Sequence, residues 1–510
     1  MKRAKKFFLN AIILTAASLL MRSVGVTFNV YLAGKIGPSG MGLFQLIMSV
    51  YSFGVTVSLS GIGLAATRVV TEELARGSQA GAKKAMFKCI GYSLVFGLAA
   101  AVLLFFGAPY IGSLVLHDMR IVWPLRVLAL GLPFLAMTSA TEGYFIAVRR
   151  VVKSASANML EQFIKITLTI YALNLLMPKG IEYACLAIAI GGCVAELGSF
   201  AYLYILYRLD RRRYNAPQKT TRFPLRRILH ISLPIALSSY ARSGLTTIEN
   251  LLVPRGLRKS GSSGDRSLAE YGMIDGMVLP ILMFPSAFLT AFSSLLVPEL
   301  TESRERGNHV RINEIITRVF QVTLLFAIGV AGVLVSFADE LGMAIYHNTD
   351  AAAFLQILAP LVIVIYLDGA VDAMLKGLNE QVSSMRYNII DAAVCVVLVY
   401  LLLPVFGIKG YLVVIFVSEL LNTFLSVNRL ITVTSFKINF TAWILKPILA
   451  ISCSCASVRL LVRVCSGLSA SPLLAAVVYI ASAILLYLLF LHLLLCVTRE
   501  DYRFFKAVLK

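Results

Sequence analysis

The stretch Thr71-Glu-Glu-Leu-Ala-Arg-Gly77, followed by an apolar run from about Phe87, returns 230 positions later as Thr301-Glu-Ser-Arg-Glu-Arg-Gly307, followed by a run from about Ile315. A polar island ending in glycine and then roughly twenty apolar residues reads as a turn at the membrane surface and a span. The register holds without gaps on both sides. Gly42 meets Gly272; Ala108, Gly112 and His117 meet Ala338, Gly342 and His347; Glu142, Asn158 and Glu161 meet Asp372, Asn388 and Asp391. Apolar matches are cheap in such a chain, but charged and histidine matches at one offset are not. Ahead of Gly42 the register shifts by about ten residues. Arg22-Ser23 then meets Arg242-Ser243, and the extra residues fall in the Ser/Gly-rich Ser260–Leu268.

Composition agrees with a membrane protein. Of 510 residues, 58% are hydrophobic and only 14% are charged. Soluble domains average about 25% charged. This excludes an ordinary soluble enzyme, a disordered chain and a disulfide-stapled domain. The expectation is an all-α polytopic membrane protein with about fourteen spans. The runs start near Phe8, Gly42, Phe87, Ile121, Met159 and Tyr183, then near Ile228, Tyr271, Ile315, Phe354, Tyr387 and Gly410, and finally near Trp443 and Pro472. The first run exceeds a signal-peptide core and has a later counterpart, so it reads as a span.

The net charge of +21 has a topological reading. With the N-terminus inside, about 33 Lys and Arg fall on the cytoplasmic side and about 8 outside, which is the positive-inside bias. Both termini are then cytoplasmic, and nucleic acid is not needed as a partner. The domain expectation is a six-helix lobe at 1–207, a basic cytoplasmic linker at 208–227, a second lobe at 228–434, and a terminal helix pair with its tail at 435–510. Six spans per half make the repeats parallel. That is one plan of secondary transporters, with the substrate site near the bilayer midplane. Cys453 and Cys455 lack further ligands at zinc spacing, so no metal site is read. No Walker motif is present, and the chain reads as a non-enzyme.

Ionisable groups inside spans cost about 2.5–3.5 kcal/mol each on insertion scales and mark function or pairing. Arg22 and Arg242 are repeat mates in spans one and seven. Paired guanidinium forks suit an anion, phosphate especially, while the plain alternative is pairing with an acid or a carbonyl. Glu142 and Asp372 are mates in spans four and ten. Asp368, Asp372 and Lys376 share one helical face. These carboxylates either couple a proton or sodium ion or serve as salt-bridge partners. Glu161 and Lys165 read as a local i, i+4 pair, with Asp391 the mate of Glu161. Glu196 and Glu419 hold similar places in spans six and twelve. Pro133, Pro234, Pro280, Pro285, Pro360 and Pro447 fall inside spans and are expected to bend them.

Several segments carry a family resemblance. They are Arg22-Ser-Val-Gly25, Ile36-Gly-Pro-Ser-Gly-Met-Gly-Leu43 and Gly63-Leu-Ala-Ala-Thr-Arg-Val-Val-Thr-Glu-Glu73. Glu142-Gly-Tyr-Phe-Ile-Ala-Val-Arg-Arg150, Val253-Pro-Arg-Gly-Leu257 and Leu296-Val-Pro-Glu-Leu-Thr-Glu302 complete them. In order and spacing they resemble the stage V sporulation protein B family. That family lies within the superfamily of lipid-linked oligosaccharide flippases and multidrug and toxin extrusion antiporters. The resemblance implies two six-helix lobes in a bacterial plasma membrane. It also implies transfer of an undecaprenyl-pyrophosphate-linked saccharide, such as the peptidoglycan precursor lipid II, from inner to outer leaflet. The extra helix pair resembles the part of lipid II flippases that holds the lipid tail, whereas the antiporters typically stop at twelve spans. One departure stands out. Related flippases often carry Gly-Tyr-Phe-Gln-Gly where this chain has Gly143-Tyr-Phe-Ile-Ala147, so no substrate role of that glutamine transfers. A drug or cation antiporter of the same fold is the first alternative. A membrane-embedded glycosyltransferase or polymerase is the second. No cofactor is expected beyond coupling to sodium, protons or the membrane potential. The chain is expected to act as a monomer within the lipid bilayer.

Overall fold

A computed structural model describes residues 2–211, 225–434, 436, 439–464 and 472–496. Most of the expected basic linker, 212–224, and the tail from 497 onward lie outside the described residues. Among the described residues every regular element is a helix. In hydrocarbon the backbone has no water to bond, and the helix satisfies its N–H and C=O groups within one segment.

The chain forms two compact units. The first is Met1–Phe28 with Lys35–Gly272, and the second is Asn29–Gly34 with Met273–Lys510. In the first lie most of α1 (Lys2–Leu59) and all of α2 (Ile62–Ala75), α3 (Gln79–Tyr110), α4 (Val122–Ala147), α5 (Val151–Leu176), α6 (Ile181–Arg211), α7 (Leu225–Lys259) and α8 (Gly264–Tyr271). Its core joins Ile62, Ala66 and Val70 of α2 to Ala85, Met86 and Cys89 of α3 and to Ala140, Tyr144 and Phe145 of α4. Polar contacts lace α7 to α1 and α2 along its length. Asn250 donates to Ser49 Oγ at 2.6 Å, Thr56 and Ser243 meet at 3.1 Å, and Tyr240 bonds Ser60. Nearer the start of α7, Arg227 pairs with Glu73 at 3.0 Å and with Glu72. Glycine permits the closest approach: a Cβ on Gly42 would lie 1.9 Å from the Leu268 carbonyl oxygen. Gly272, the repeat mate of Gly42, sits against Gly42 itself.

The second unit holds α9 (Leu279–Met283), α10 (Ser286–Glu305), α11 (His309–Ser336), α12 (Ala338–Tyr346), α13 (Thr349–Leu358), α14 (Leu361–Gly377), α15 (Gln381–Phe406) and α16 (Ile408–Thr434), followed by α17 (Lys446–Val464) and α18 (Pro472–Leu493). The terminal pair docks on α11 through small residues. Gly329 lies under Tyr487 and Gly332 under Ile451, and the Tyr487 hydroxyl donates to the Leu325 carbonyl at 2.8 Å. Phe320, Met374, Trp443, Ile451 and Tyr487 belong to one buried cluster. Without a hydrophobic driving force between helices in lipid, close backbone approach and such hydrogen bonds carry the association.

The duplication is visible atom by atom. His117 and His347 both end their helices in the left-handed region, at φ 50° and 52°. Ser78 and Asn308 cap α3 and α11 by accepting from the N–H three residues on. Asp118 and Asn348 accept from Arg120 N–H and Asp350 N–H. A Cβ on Gly112 would press on Val122, and one on Gly342 on Ala352. Each pair differs by the offset of the repeat.

Ten described helices are long and apolar enough to cross a membrane, or eleven if the bent pair α13–α14 is one span. Fourteen runs were read from the sequence, and the difference has physical causes. The stretch Leu19–Ala75 counts once although Gly37, at φ 69° and ψ 178°, breaks α1 before Pro38. Helix α7 spends Ser243, Thr247 and Asn250 on contacts with α1, and these polar residues lower its apolar content. The eighth run is divided by a π-helical stretch, Gly272–Val278, which gives way to α9 beside Pro280, and by a break at Pro285. Pro360 sits at the 55° bend between α13 and α14, as its missing N–H requires.

Candidate functional site

Both candidate anion-binding arginines lie in the first unit. Arg22 is exposed on the first arm of α1, three residues before Gly25, which abuts Gln162 of α5. Arg242 is exposed on α7, next to Ser243 and its bond to Thr56.

The carboxylates of the first unit gather on α4, α5 and α6. Glu142 accepts from Ser154 Oγ at 2.7 Å and has the Asn158 side chain as a second donor. Glu161 interacts electrostatically with Lys165 and Glu142, and Glu196 with Glu161, Lys165 and Glu142. Glu161, Lys165, Glu196 and Tyr51 line a small cavity of about 50 Å³. The structure therefore joins Glu196 to a group from which the sequence could not tell its depth. Its signal was its place in the sixth span.

In the second unit the carboxylates lie on α14, α15 and α16. Asp372 accepts from Lys376 Nζ at 2.5 Å and from Ser384. The Ser154–Glu142 and Ser384–Asp372 bonds are repeat equivalents, each spanning twelve residues. Asp368 accepts from Asn422 at 3.1 Å, and Asp391 from Ser418 at 2.9 Å. Glu419 lies within electrostatic reach of Asp368 and Asp391. Sequence reading missed Asp275, which sits in the π-helical stretch and accepts from the Tyr411 hydroxyl at 2.7 Å. Asn29 and Tyr346 donate to the neighbouring Gly276 and Met277 carbonyls at 2.9 Å each. The available signal was a lone acid between two glycines in an apolar run. A π-bulge frees carbonyls of this kind and is frequent at functional sites.

Chemically, these groups can hold a proton or a hard cation on carboxylates, and an anion on guanidiniums. Among the described residues no cluster of three or more His, Cys, Asp or Glu is arranged to hold a metal ion.

Long apolar helices in a duplicated array, with ionisable side chains clustered among them, define a multi-pass membrane transporter fold. Residues 7–302 match the polysaccharide biosynthesis protein family, and the chain belongs to that family. Over 508 residues it is 26% identical to stage V sporulation protein B of Bacillus subtilis (strain 168), covering 98% of each chain. A solved structure of lipid II flippase MurJ in an inward closed conformation superposes with a TM-score of 0.69 at 13% identity, covering 94% of this chain and 98% of its own. An inward-facing multidrug resistance MATE family transporter superposes with a TM-score of 0.65 at 16% identity, covering 83% of this chain and 98% of its own.

Proposed function

We propose that this protein flips an undecaprenyl-pyrophosphate-linked saccharide, a cell-envelope precursor of the lipid II class, from the inner to the outer leaflet of a bacterial plasma membrane. The observation that carries the reading is the extent of the flippase likeness, 94% of the chain against 83% for the drug transporter. In this reading Arg22 and Arg242 hold the pyrophosphate by charge-assisted bonds. Glu142, Asp368 and Asp372, with Glu161, Lys165 and Asp391 nearby, tune the cavity or couple a proton or sodium ion. The halves 1–207 and 228–434 act as the two lobes of an alternating-access carrier. A pyrophosphate cannot cross hydrocarbon unaided, because desolvating its charge is prohibitive. The membrane potential supplies about 2.3 kcal/mol per charge per 100 mV if charge moves with the headgroup. Both termini are cytoplasmic, and the protein works as a monomer without nucleic acid.

A drug or cation antiporter is the second reading, favoured by the carboxylate groups in each unit. Flipping of a fluorescent lipid-linked diphosphate in proteoliposomes separates the two. Arg22→Ala and Arg242→Ala are expected to abolish it without loss of insertion, while the Lys variants keep partial rates. Normal rates in both Ala variants, with activity lost only in Asp372→Asn, would move the weight from the arginines to ion coupling, and wild type that exports a cationic dye without flipping the lipid would move the assignment to the antiporter.

A further inference from the structure

A second cationic site lies away from Arg22 and Arg242, where α2 meets the start of α7. We propose that it binds a phosphate-bearing anion at the membrane surface, carried by a lipid headgroup or by a free diphosphate. It does not depend on the transport reading.

An open cleft of about 570 Å³ is lined by Arg68 and Glu72 of α2 and by Arg226, Arg227 and His230 of α7. The carboxylates there are engaged in positioning. Glu72 accepts from Arg68 Nε at 3.0 Å and also from Arg227, which it fixes across the two helices. Glu73 accepts from Arg227 at 3.0 Å and from Arg76 at 3.3 Å. Three guanidiniums, of Arg68, Arg76 and Arg227, thus share two carboxylates, and Arg226 adds a fourth positive charge beside them, so positive charge is in excess before His230 is counted. Arg226 and His230 are exposed one helical turn apart on α7, and the Arg68 side chain is 63% exposed. The terminal nitrogens of Arg68 remain available while its Nε is held by Glu72. Arg68 on α2, held through its Nε, and the exposed Arg226 on α7 offer planar forks, which match the paired oxygens of a phosphate better than scattered lysines would. Arg226 and His230 lie in the first two turns of α7, and Arg68 lies midway along α2 one turn before Glu72, on the side that the basic bias assigns to the cytoplasm.

Full-length protein in detergent, with Arg22→Ala and Arg242→Ala in every sample including the one taken as wild type so that the proposed transport site does not bind the probe, would be titrated with inorganic pyrophosphate and, separately, with short-chain phosphatidylglycerol against phosphatidylcholine of the same length. The variant Arg226→Gln/His230→Gln spares the ion pairs that join α2 to α7. Lys83→Gln removes one charge elsewhere on α3. The double variant is expected to weaken binding about tenfold or more, the loss of a charge-assisted contact, while Lys83→Gln binds as wild type does. Pyrophosphate binding assigns a diphosphate ligand; binding of phosphatidylglycerol alone assigns bilayer phospholipid. Equal weakening in both variants would mean diffuse attraction and overturn the site. So would an unchanged double variant, or wild type that binds neither anion.

Discussion

Replacing Gly332 by alanine tests how the terminal helix pair is held. The new Cβ would lie 2.3 Å from Ile451 Cγ1 and 2.9 Å from Cγ2, where carbon atoms settle at about 3.5–4.0 Å. Ile451 is only 4% exposed, and a β-branched side chain on a helix has essentially one rotamer. Relief therefore requires α11 and α17 to part by about 1 Å, an overpacking cost of about 1–3 kcal/mol. Alanine returns about 1 kcal/mol of helix propensity, so the net expected loss is about 0–2 kcal/mol. Ile451→Ala alone costs about 2–5 kcal/mol as a cavity. In the double variant the new methyl fills part of that cavity, and the pair should be more stable than the sum of its parts by about 1–2 kcal/mol. Reversible unfolding in detergent micelles, followed through all four members of the cycle, measures this coupling. Additivity within about 0.5 kcal/mol would mean that the two side chains do not meet, and the proposed docking of the pair would fail with it.

A pH experiment concerns Glu380, which lies between α14 and α15. The Ser383 hydroxyl holds its carboxyl below the ordinary range against the opposing effect of burial, and Arg429 lowers it further. A lowered folded pKa stabilises above the unfolded value and loses that contribution as pH falls through the folded one. Thermal stability is thus expected to fall below about pH 4, with a shallower acid limb in Glu380→Gln; identical limbs would discount the pair. For topology, Ser262→Cys, in the turn after α7, is expected to react with an impermeant maleimide added outside intact cells. Labelling only after the membrane is opened would invert the proposed orientation.

Much of this was legible because duplication wrote it twice. The match of Glu142 to Asp372 fixed two positions that the structure shows with the same serine partner twelve residues on. Proline marked the bend at Pro360 and the break at Pro285. Span counting was less secure where polar residues serve helix contacts. The serines and asparagine of α7 look like a weak span in one dimension and become a laced interface in three. Asp275 escaped notice for a related reason. Its importance comes from a π-helical distortion and from Tyr411, 136 residues away, and no local pattern announces either. The α2–α7 cleft was equally hidden, since Arg68 and Arg226 read separately as ordinary positive-inside residues.

The two halves differ most where their carboxylates are not repeat mates, and that difference bears on coupling. The position of Glu142 and Asp372 is shared, and so is that of Glu161 and Asp391. The remaining groups are not: at the repeat offset Glu196 corresponds to Ser426, Glu419 to Ala189, and Asp368 to Thr138. The ammonium has moved too. Lys165 accompanies Glu161 in the first unit, where Cys395 is its mate, and Lys376 accompanies Asp372 in the second, where Ile146 is its mate. The first unit thus has three acids to one lysine, and the second has four to one. Full ionisation would group one more negative charge in the second unit than in the first, and neighbouring like charges disfavour the ionised forms. A proton or cation relieves that imbalance directly. On the ion-coupling proposal, the second unit, with Asp368 and Glu419 beside the inherited Asp391, is therefore where occupancy should change most during transport.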